Sequence, residues 1–261
     1  MLVLIGSFRK DGNTSRIADL IKEQIVSSAH KEKITVDIEK IQLGHTDIRI
    51  CRGCRICFDR GEEKCSLKDE LLSIRDKMLE ADGIIAASPV YVENVSGIMK
   101  NWIDRMAFNC HRPAFAGKIA YIFATSGIGS SNNAINAIKT AFSTWGIKVA
   151  GENKFRTGEL MSYDEMKTRY QKAIRKAAER FLRAIKEDSG KKPSFYSLLV
   201  FKIQQSYWQN ADKHQDTIDY KYWQENGWLQ RSCKYYIPHR ASRMKTITAR
   251  FIGIIIASFI I

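Results

Sequence analysis

The chain has 261 residues, 44% hydrophobic and 27% charged, the make-up of a globular protein that buries one good core and has a remainder left for an extension. Lysine and arginine outnumber the acids 42 to 28, but they are dispersed and come with no helix-turn-helix, RRM or zinc-finger spacing, so no nucleic-acid partner is expected. Anionic cofactors or an anionic membrane surface suit the net charge of +14 better.

Residues 2–6 are a continuous apolar run closed by Gly6-Ser7, which predicts a buried parallel strand. Met1-Leu-Val-Leu-Ile5 has no basic leader and is too short for a secretory core. Four of the six cysteines sit together, unlike a secreted disulfide framework. A cytoplasmic protein is expected, with peripheral contact at the inner face of the membrane as an added option. Ile17, Leu20, Ile21 and Ile25 recur at helical spacing between Thr14 and about Ala29, and residues 34–41 alternate as a second strand. Helices are predicted over 67–79, 95–108, 132–145 and 163–186. Further strands are predicted over 83–88, 118–125 and, weakly, 147–150. This alternation with short connections specifies an α/β fold over residues 1–188, with a doubly wound five-stranded parallel sheet. Ligands of such sheets gather beyond the carboxyl ends of the strands, where the stretches 6–15, 88–97 and 125–131 fall.

At Asp188–Pro193 the composition shifts, which reads as a linker. Residues 189–261 hold 11 Lys and Arg against 4 Asp and Glu, and 13 of the 27 aromatics. They read as a helical, aromatic-rich C-terminal extension with amphipathic helices over 195–208 and 220–228. Residues 251–261 carry no charge but fall short of the roughly 20 residues that span a bilayer. Three readings compete for this tail: packing on the main domain or a neighbouring subunit, an interfacial membrane anchor, or a frayed end. Arg240, Arg243, Lys245 and Arg250 just before it suit the membrane reading.

The first domain contains Cys51-Arg-Gly-Cys54-Arg-Ile-Cys57, with Cys65 following. One C-x-x-C pair grips a metal from a single turn. A third cysteine three residues on exceeds a zinc knuckle and suits an iron–sulfur cubane closed by Cys65. Zinc sites usually divide their ligands between two separated knuckles. An iron–sulfur cluster is the leading reading, with zinc and a metal-free redox loop as alternatives. Arg52 and Arg55 would offset the negative charge of a cubane on four thiolates. Cys110 and Cys233 read as packing residues, His111 as a surface histidine, and Asp104-Arg105 as local ion-pairing groups. No residue is assigned a catalytic acid–base role.

The loop Gly6-Ser7-Phe8-Arg9-Lys10-Asp11-Gly12-Asn13-Thr14-Ser15 joins a strand to a helix, and brings hydroxyls, a basic residue and helix-start amides together. That set suits a phosphate monoester, although Asn13 or Thr14 could simply cap the helix. The G-x-G-x-x-G and Walker spacings are missing, which disfavours NAD or ATP as the tightly held nucleotide. Pro89-Val90-Tyr91 offers a rigid flat wall, and the loop Thr125-Ser126-Gly127 offers amides.

Over residues 1–185 these segments resemble the NAD(P)H-dependent FMN reductase family of flavodoxin-like proteins. With the cysteine run added, the chain is similar to the iron–sulfur flavoprotein branch. The resemblance implies FMN with its phosphate on Ser7, Arg9, Asn13, Thr14 and Ser15. It implies the isoalloxazine ring against Pro89, Val90, Tyr91 and Val92, with Asn94 in the same loop, and contact with Thr125, Ser126 and Gly127. The metal ligands would be Cys51, Cys54, Cys57 and Cys65 around a [4Fe–4S] cluster. NAD(P)H is implied as a donor, a small molecule or a protein such as ferredoxin as electron partner, and a homodimer or homotetramer as the assembly. The expected function is an FMN-dependent oxidoreductase passing electrons between FMN and the cluster. The alternatives are an NAD(P)H-dependent FMN or quinone reductase without a cluster, and a non-enzymatic electron carrier docked through the tail.

Overall fold

A computed structural model of the chain describes residues 1–158, 161–211 and 215–260. Five strands run parallel: β1 (Leu2–Ile5), β2 (Glu39–Gln42), β3 (Gly83–Tyr91), β5 (Ile119–Ser126) and β6 (Lys148–Arg156). Their order is β2-β1-β3-β5-β6, and the two-residue β4 (Asn94–Val95) folds back antiparallel on β3. The sheet is buried on both faces because its strands are apolar on both. In β1, Leu2 and Leu4 join the core on one side, Val3 and Ile5 the core on the other. Helices α1 (Asn13–Lys31) and α6 (Tyr163–Lys186) cover the Val3 side. Helices α3 (Leu71–Glu80), α4 (Gly97–Arg105) and α5 (Asn132–Thr144) cover the Leu2 side.

The differences from the predicted elements have local causes. The second strand pairs only over 39–42, because its partner β1 offers just four residues in register. The fifth strand extends to Arg156. A register shift beside Ala120/Tyr121 breaks the alternation that would have revealed it, and polar Glu152, Asn153 and Lys154 occupy this edge. Helix α3 starts four residues late, where the Asp69 carboxylate accepts from Leu71 N–H at 3.2 Å.

The extension forms α7 (Phe195–Gln209), α8 (Ile218–Glu225) and α9 (Arg243–Ile260) around its own aromatic core. Phe201 stacks on Trp223 at 5.7 Å between ring centroids, and Trp228 and Tyr236 close around them. The segment expected as a linker is instead packed: Ser189 and Gly190 are buried. Gly190 approaches Gly117 so closely that a Cβ would come within 1.8 Å of its carbonyl oxygen. Lys148 Nζ donates to the carbonyls of Ser189 and Lys192 at 2.9 and 3.0 Å. The tail lies in α9, which lays buried Thr246, Ala249, Gly253 and Ala257 along α7. Among the described residues no helix is long and apolar enough to cross a membrane.

Candidate functional site

At the carboxyl ends of β1, β3 and β5 the chain leaves a cleft. Its walls are Ser7, Arg9, Gly12, Asn13 and Thr14 from the first loop, Pro89, Val90 and Tyr91 from the end of β3, and Thr125, Ser126 and Gly127 from the end of β5. Thr157 and Gly158 close it after β6. Gly12 stands at the N-cap of α1 and supplies no capping side chain, and the first turn carries no acid. The opening amides of a 19-residue helix therefore keep their donors, and the positive end of its dipole, for a ligand. Among the described residues, the lining holds an arginine and no carboxylate.

Five hydroxyl residues of this wall, Ser7, Thr14, Thr125, Ser126 and Thr157, are all buried. The Thr14 and Thr125 oxygens stand 2.6 Å apart, and Asn13 Nδ2 donates to Thr157 Oγ1 at 2.9 Å and to the Gly158 carbonyl at 2.6 Å. Rotatable donors, helix amides and a guanidinium fit a phosphate monoester dianion.

Three of the predicted residues stand off this lining. Ser15 is buried and accepts from Lys40 Nζ at 3.3 Å. Asn94 Oδ1 accepts from its neighbour Val95 N–H at 2.8 Å. Val92 is fully exposed at the tip of the β3–β4 hairpin, where Val92 and Glu93 both have positive φ, 48° and 58°. That pair of values is what a two-residue hairpin turn demands and what a β-branched residue resists. Thr157 and Gly158 went unseen in the sequence because the fifth strand reads as ending at 150. The apolar Phe155, with Thr157-Gly158 following Arg156, was the signal available.

The cysteine run lies between β2 and α3 and includes the short helix α2 (Ile56–Asp59). Gly53 and Arg55 turn the backbone left-handed, at φ 66° and 63°. Cys51 and Cys54 are exposed, Cys57 and Cys65 half-buried, and all four line a second cavity. Arg52, Arg55 and Arg105 share that lining with Phe58, Leu67, Leu71 and Phe108. Its two acids are engaged elsewhere, Glu62 with Arg75 and Arg112, and Asp104 with Lys100.

Three of the cysteines have anchors that sequence reasoning missed. Cys51 N–H donates to Asn101 Oδ1 at 3.0 Å, Arg112 Nη2 donates to the Cys57 carbonyl at 2.7 Å, and Arg105 Nη2 points at Cys65 Sγ at 4.0 Å. The local reading of Asp104-Arg105 holds for Asp104, which pairs with Lys100 one turn back. It fails for Arg105, which reaches across to Asp69 and the cysteine loop. These anchors come from α4 and the turn after it, distant in sequence from the residues they hold.

Burial pushes the Cys57 thiol up, and negative charge on Cys65 and Cys51 adds to that. Burial opposes the charge on Arg105, but the Asp69 carboxylate and the Cys65 and Cys51 thiolates hold its guanidinium above its ordinary range. Among the described residues, no three Cys, His, Asp or Glu side chains stand together as metal ligands. Four cysteines lining one cavity, with arginines and an apolar wall around them, fit a thiolate-bound cluster in kind of residue. Cys110 packs beside Thr144 and Cys233 donates to the Tyr235 carbonyl, as packing residues do. His111 is half-exposed, with Nδ1 2.6 Å from Asp219 of the extension.

Helix α4 joins the two cavities. Its N-cap Ser96 donates to the Gly6 carbonyl beside the first loop, and its Asn101 and Arg105 hold Cys51 and Cys65. A nine-residue helix is about 13 Å long.

The model of the NADPH-dependent FMN reductase family matches residues 1–159. The chain belongs to that family. This FMN reductase relative is similar to an iron-sulfur flavoprotein of Archaeoglobus fulgidus, 28% identical over 87% of this chain and 98% of the relative. It is also similar to an iron-sulfur flavoprotein of Clostridioides difficile, 27% identical over 71% and 79%. These relatives place it in the iron–sulfur flavoprotein branch of the FMN reductase family. Its fold is shared by an oxidoreductase from Corynebacterium diphtheriae, at TM-score 0.53 and 20% identity over 71% of this chain and 96% of that one. RosB shares it at TM-score 0.55 and 15% identity, over 71% and 78%. The protein is thus a flavin-dependent oxidoreductase with FMN as its cofactor.

Proposed function

We propose that the protein passes electrons between FMN in the hydroxyl-lined cleft and a [4Fe–4S] cluster on Cys51, Cys54, Cys57 and Cys65. The observation that carries this is α4, which begins beside the phosphate-suited loop and ends on the cysteine cavity. Bound FMN supplies two-electron exchange with a hydride donor such as NAD(P)H and one-electron exchange with a cluster or a carrier such as ferredoxin. Ser7, Thr14, Arg9 and the first amides of α1 would hold the phosphate. Pro89, Val90 and Tyr91 would lie against the ring, with Thr125, Ser126 and Gly127 at its edge. Asn13 ties Thr157 to the start of α1 and keeps that end of the cleft closed. On the cysteine side, Arg105 would place positive charge on Cys65, as hydrogen bonds to cluster sulfurs do when they raise a potential. Hydride arrival at a flavin asks no side chain for a proton, so the lack of an assigned acid–base residue does not count against this chemistry.

Residues 1–188 would carry both centres, in a cytoplasmic homodimer or homotetramer, on the strength of the motif resemblance. A second reading drops the cluster and keeps an NAD(P)H-dependent FMN or quinone reductase, with the cysteines holding zinc or nothing. The exposure of Cys51 and Cys54 favours it. One anaerobic preparation decides between them. Flavin together with iron and acid-labile sulfide supports the first reading, whereas flavin with zinc or no metal supports the second.

A further inference from the structure

We propose that the outer face of α9 docks the protein in-plane on an anionic lipid surface. This stands on the extension alone and does not depend on the redox reading. The helix buries a strip of small residues, Thr246, Ala249, Gly253 and Ala257, against α7, with Gly253 pressed on the Lys202 stem. The opposite side carries Met244, Ile247, Phe251, Ile254, Ile255 and Phe259, all exposed. Their spacing repeats with the helical period, so they form one continuous ridge along a helix of about 27 Å.

The hydroxyls on that side bring no unmet polar group. Thr248 Oγ1 donates back to the Met244 carbonyl at 2.7 Å, and Ser258 Oγ to the Ile255 carbonyl at 2.8 Å. Hydroxyls closed onto their own helix are what an acyl boundary tolerates, whereas a protein partner would be met by about one hydrogen bond per 100–200 Å².

Charge selects the kind of lipid. From Asn226 to Ile261 there is no Asp or Glu, against six Lys and Arg. Arg243 and Lys245 flank the ridge near its start, and a groove beside it brings Lys234, His239 and Arg250 together with Ile247 and Phe251. Arg250 is fixed there by donating to the carbonyls of Cys233 and Arg231. A second copy of this chain would set the same basic segment against itself across a two-fold axis, which disfavours self-association. An amphipathic helix with a bulky apolar face and basic flanks lies in the headgroup boundary of an anionic leaflet.

The test is flotation of the full flavin-loaded chain with phosphatidylcholine vesicles, with and without phosphatidylglycerol, at low and high salt. Anionic vesicles should recover at least about tenfold more protein than neutral ones, and salt should release it. Phe251→Glu and Phe259→Glu, at sites 64% and 86% exposed, should each cut recovery about tenfold with flavin content unchanged. The proposal is overturned if neither vesicle recovers the protein, or if both variants float like the parent. It is equally overturned if light scattering finds a dimer that Phe251→Glu splits while vesicles recover nothing. Flavin absorbance of the same fractions reports the redox cofactor separately.

Discussion

Arg105 and Asp69 meet through two hydrogen bonds, at 2.6 and 3.1 Å, with side chains only 3% and 1% exposed. The pair fixes the plane of the guanidinium, and the same guanidinium faces Cys65 with Nη2. A cation on a flexible stem becomes a positioned donor beside the cysteine cavity. Removing one charge of a buried pair strands the other, so Asp69→Asn should cost about 3 kcal/mol in urea unfolding at pH 7. Burial raises the Asp69 carboxyl, but hydrogen bonds from Arg105 and the Arg49 and Leu71 amides, with the Arg105 charge, hold it below its ordinary 3.8. A depressed folded value gives stability that is complete above 3.8 and lost as pH falls from there through the lower folded value, so the gap between parent and variant should narrow progressively below about pH 4.

The hydroxyl wall of the cleft makes a separable claim. Thr14→Val removes a buried hydroxyl 2.6 Å from Thr125 and keeps the shape. Titration of the apoprotein by flavin fluorescence quenching should show about tenfold weaker FMN binding. Ser15→Ala, whose hydroxyl faces Lys40, should leave affinity within about twofold. Equal losses from both would sink this assignment of the wall.

The cysteines divide four and two. Serine at 51, 54, 57 or 65 should lower iron and sulfide in anaerobic preparations while flavin remains, because these four residues line one cavity. Serine at Cys110 or Cys233 should leave both unchanged, since those thiols pack beside Thr144 and Tyr235 instead.

Val92 sets stability against function. A β-branched residue at φ 48° costs about 1–2 kcal/mol, and its fully exposed side chain recovers none of that by packing. Val92→Gly should therefore stabilise the apoprotein by about 1 kcal/mol in thermal or urea unfolding. If Val92 meets the flavin ring, the same variant should bind FMN more weakly, and unchanged affinity would remove Val92 from the site.

The extension also reaches the cysteine loop. Buried Asp219 pairs with Arg112, which donates to Glu62 and to the Cys57 carbonyl. Asp219→Asn should cost about 2–3 kcal/mol and speed alkylation of Cys57 in the metal-free protein, read by mass spectrometry. An unchanged rate would mean that the loop holds its shape without this tie.

By itself the sequence determined the alternation of strands and helices, the three strand-end loops and the spacing of the four cysteines. Each of these is written in neighbouring residues: apolar period, glycine and hydroxyl placement, and thiol separation. Ser7, Asn13, Thr14, Pro89, Tyr91, Thr125 and Gly127 could thus be singled out before any fold was in hand, and all of them line one cleft. Only the tertiary structure decided which side chains support the cysteines. Asn101, Arg105 and Arg112 lie roughly fifty residues from Cys51, Cys57 and Cys65, and Asp219 lies farther still, so no local pattern relates them. It also decided that Ser15 turns toward Lys40, that the apparent linker at 188–193 is packed on Gly117, and that the apolar tail shows one side to α7 and the other to solvent. Composition reports what a segment is made of. Whether that segment has a partner is set by chain passing elsewhere in the sequence, which only packing brings alongside.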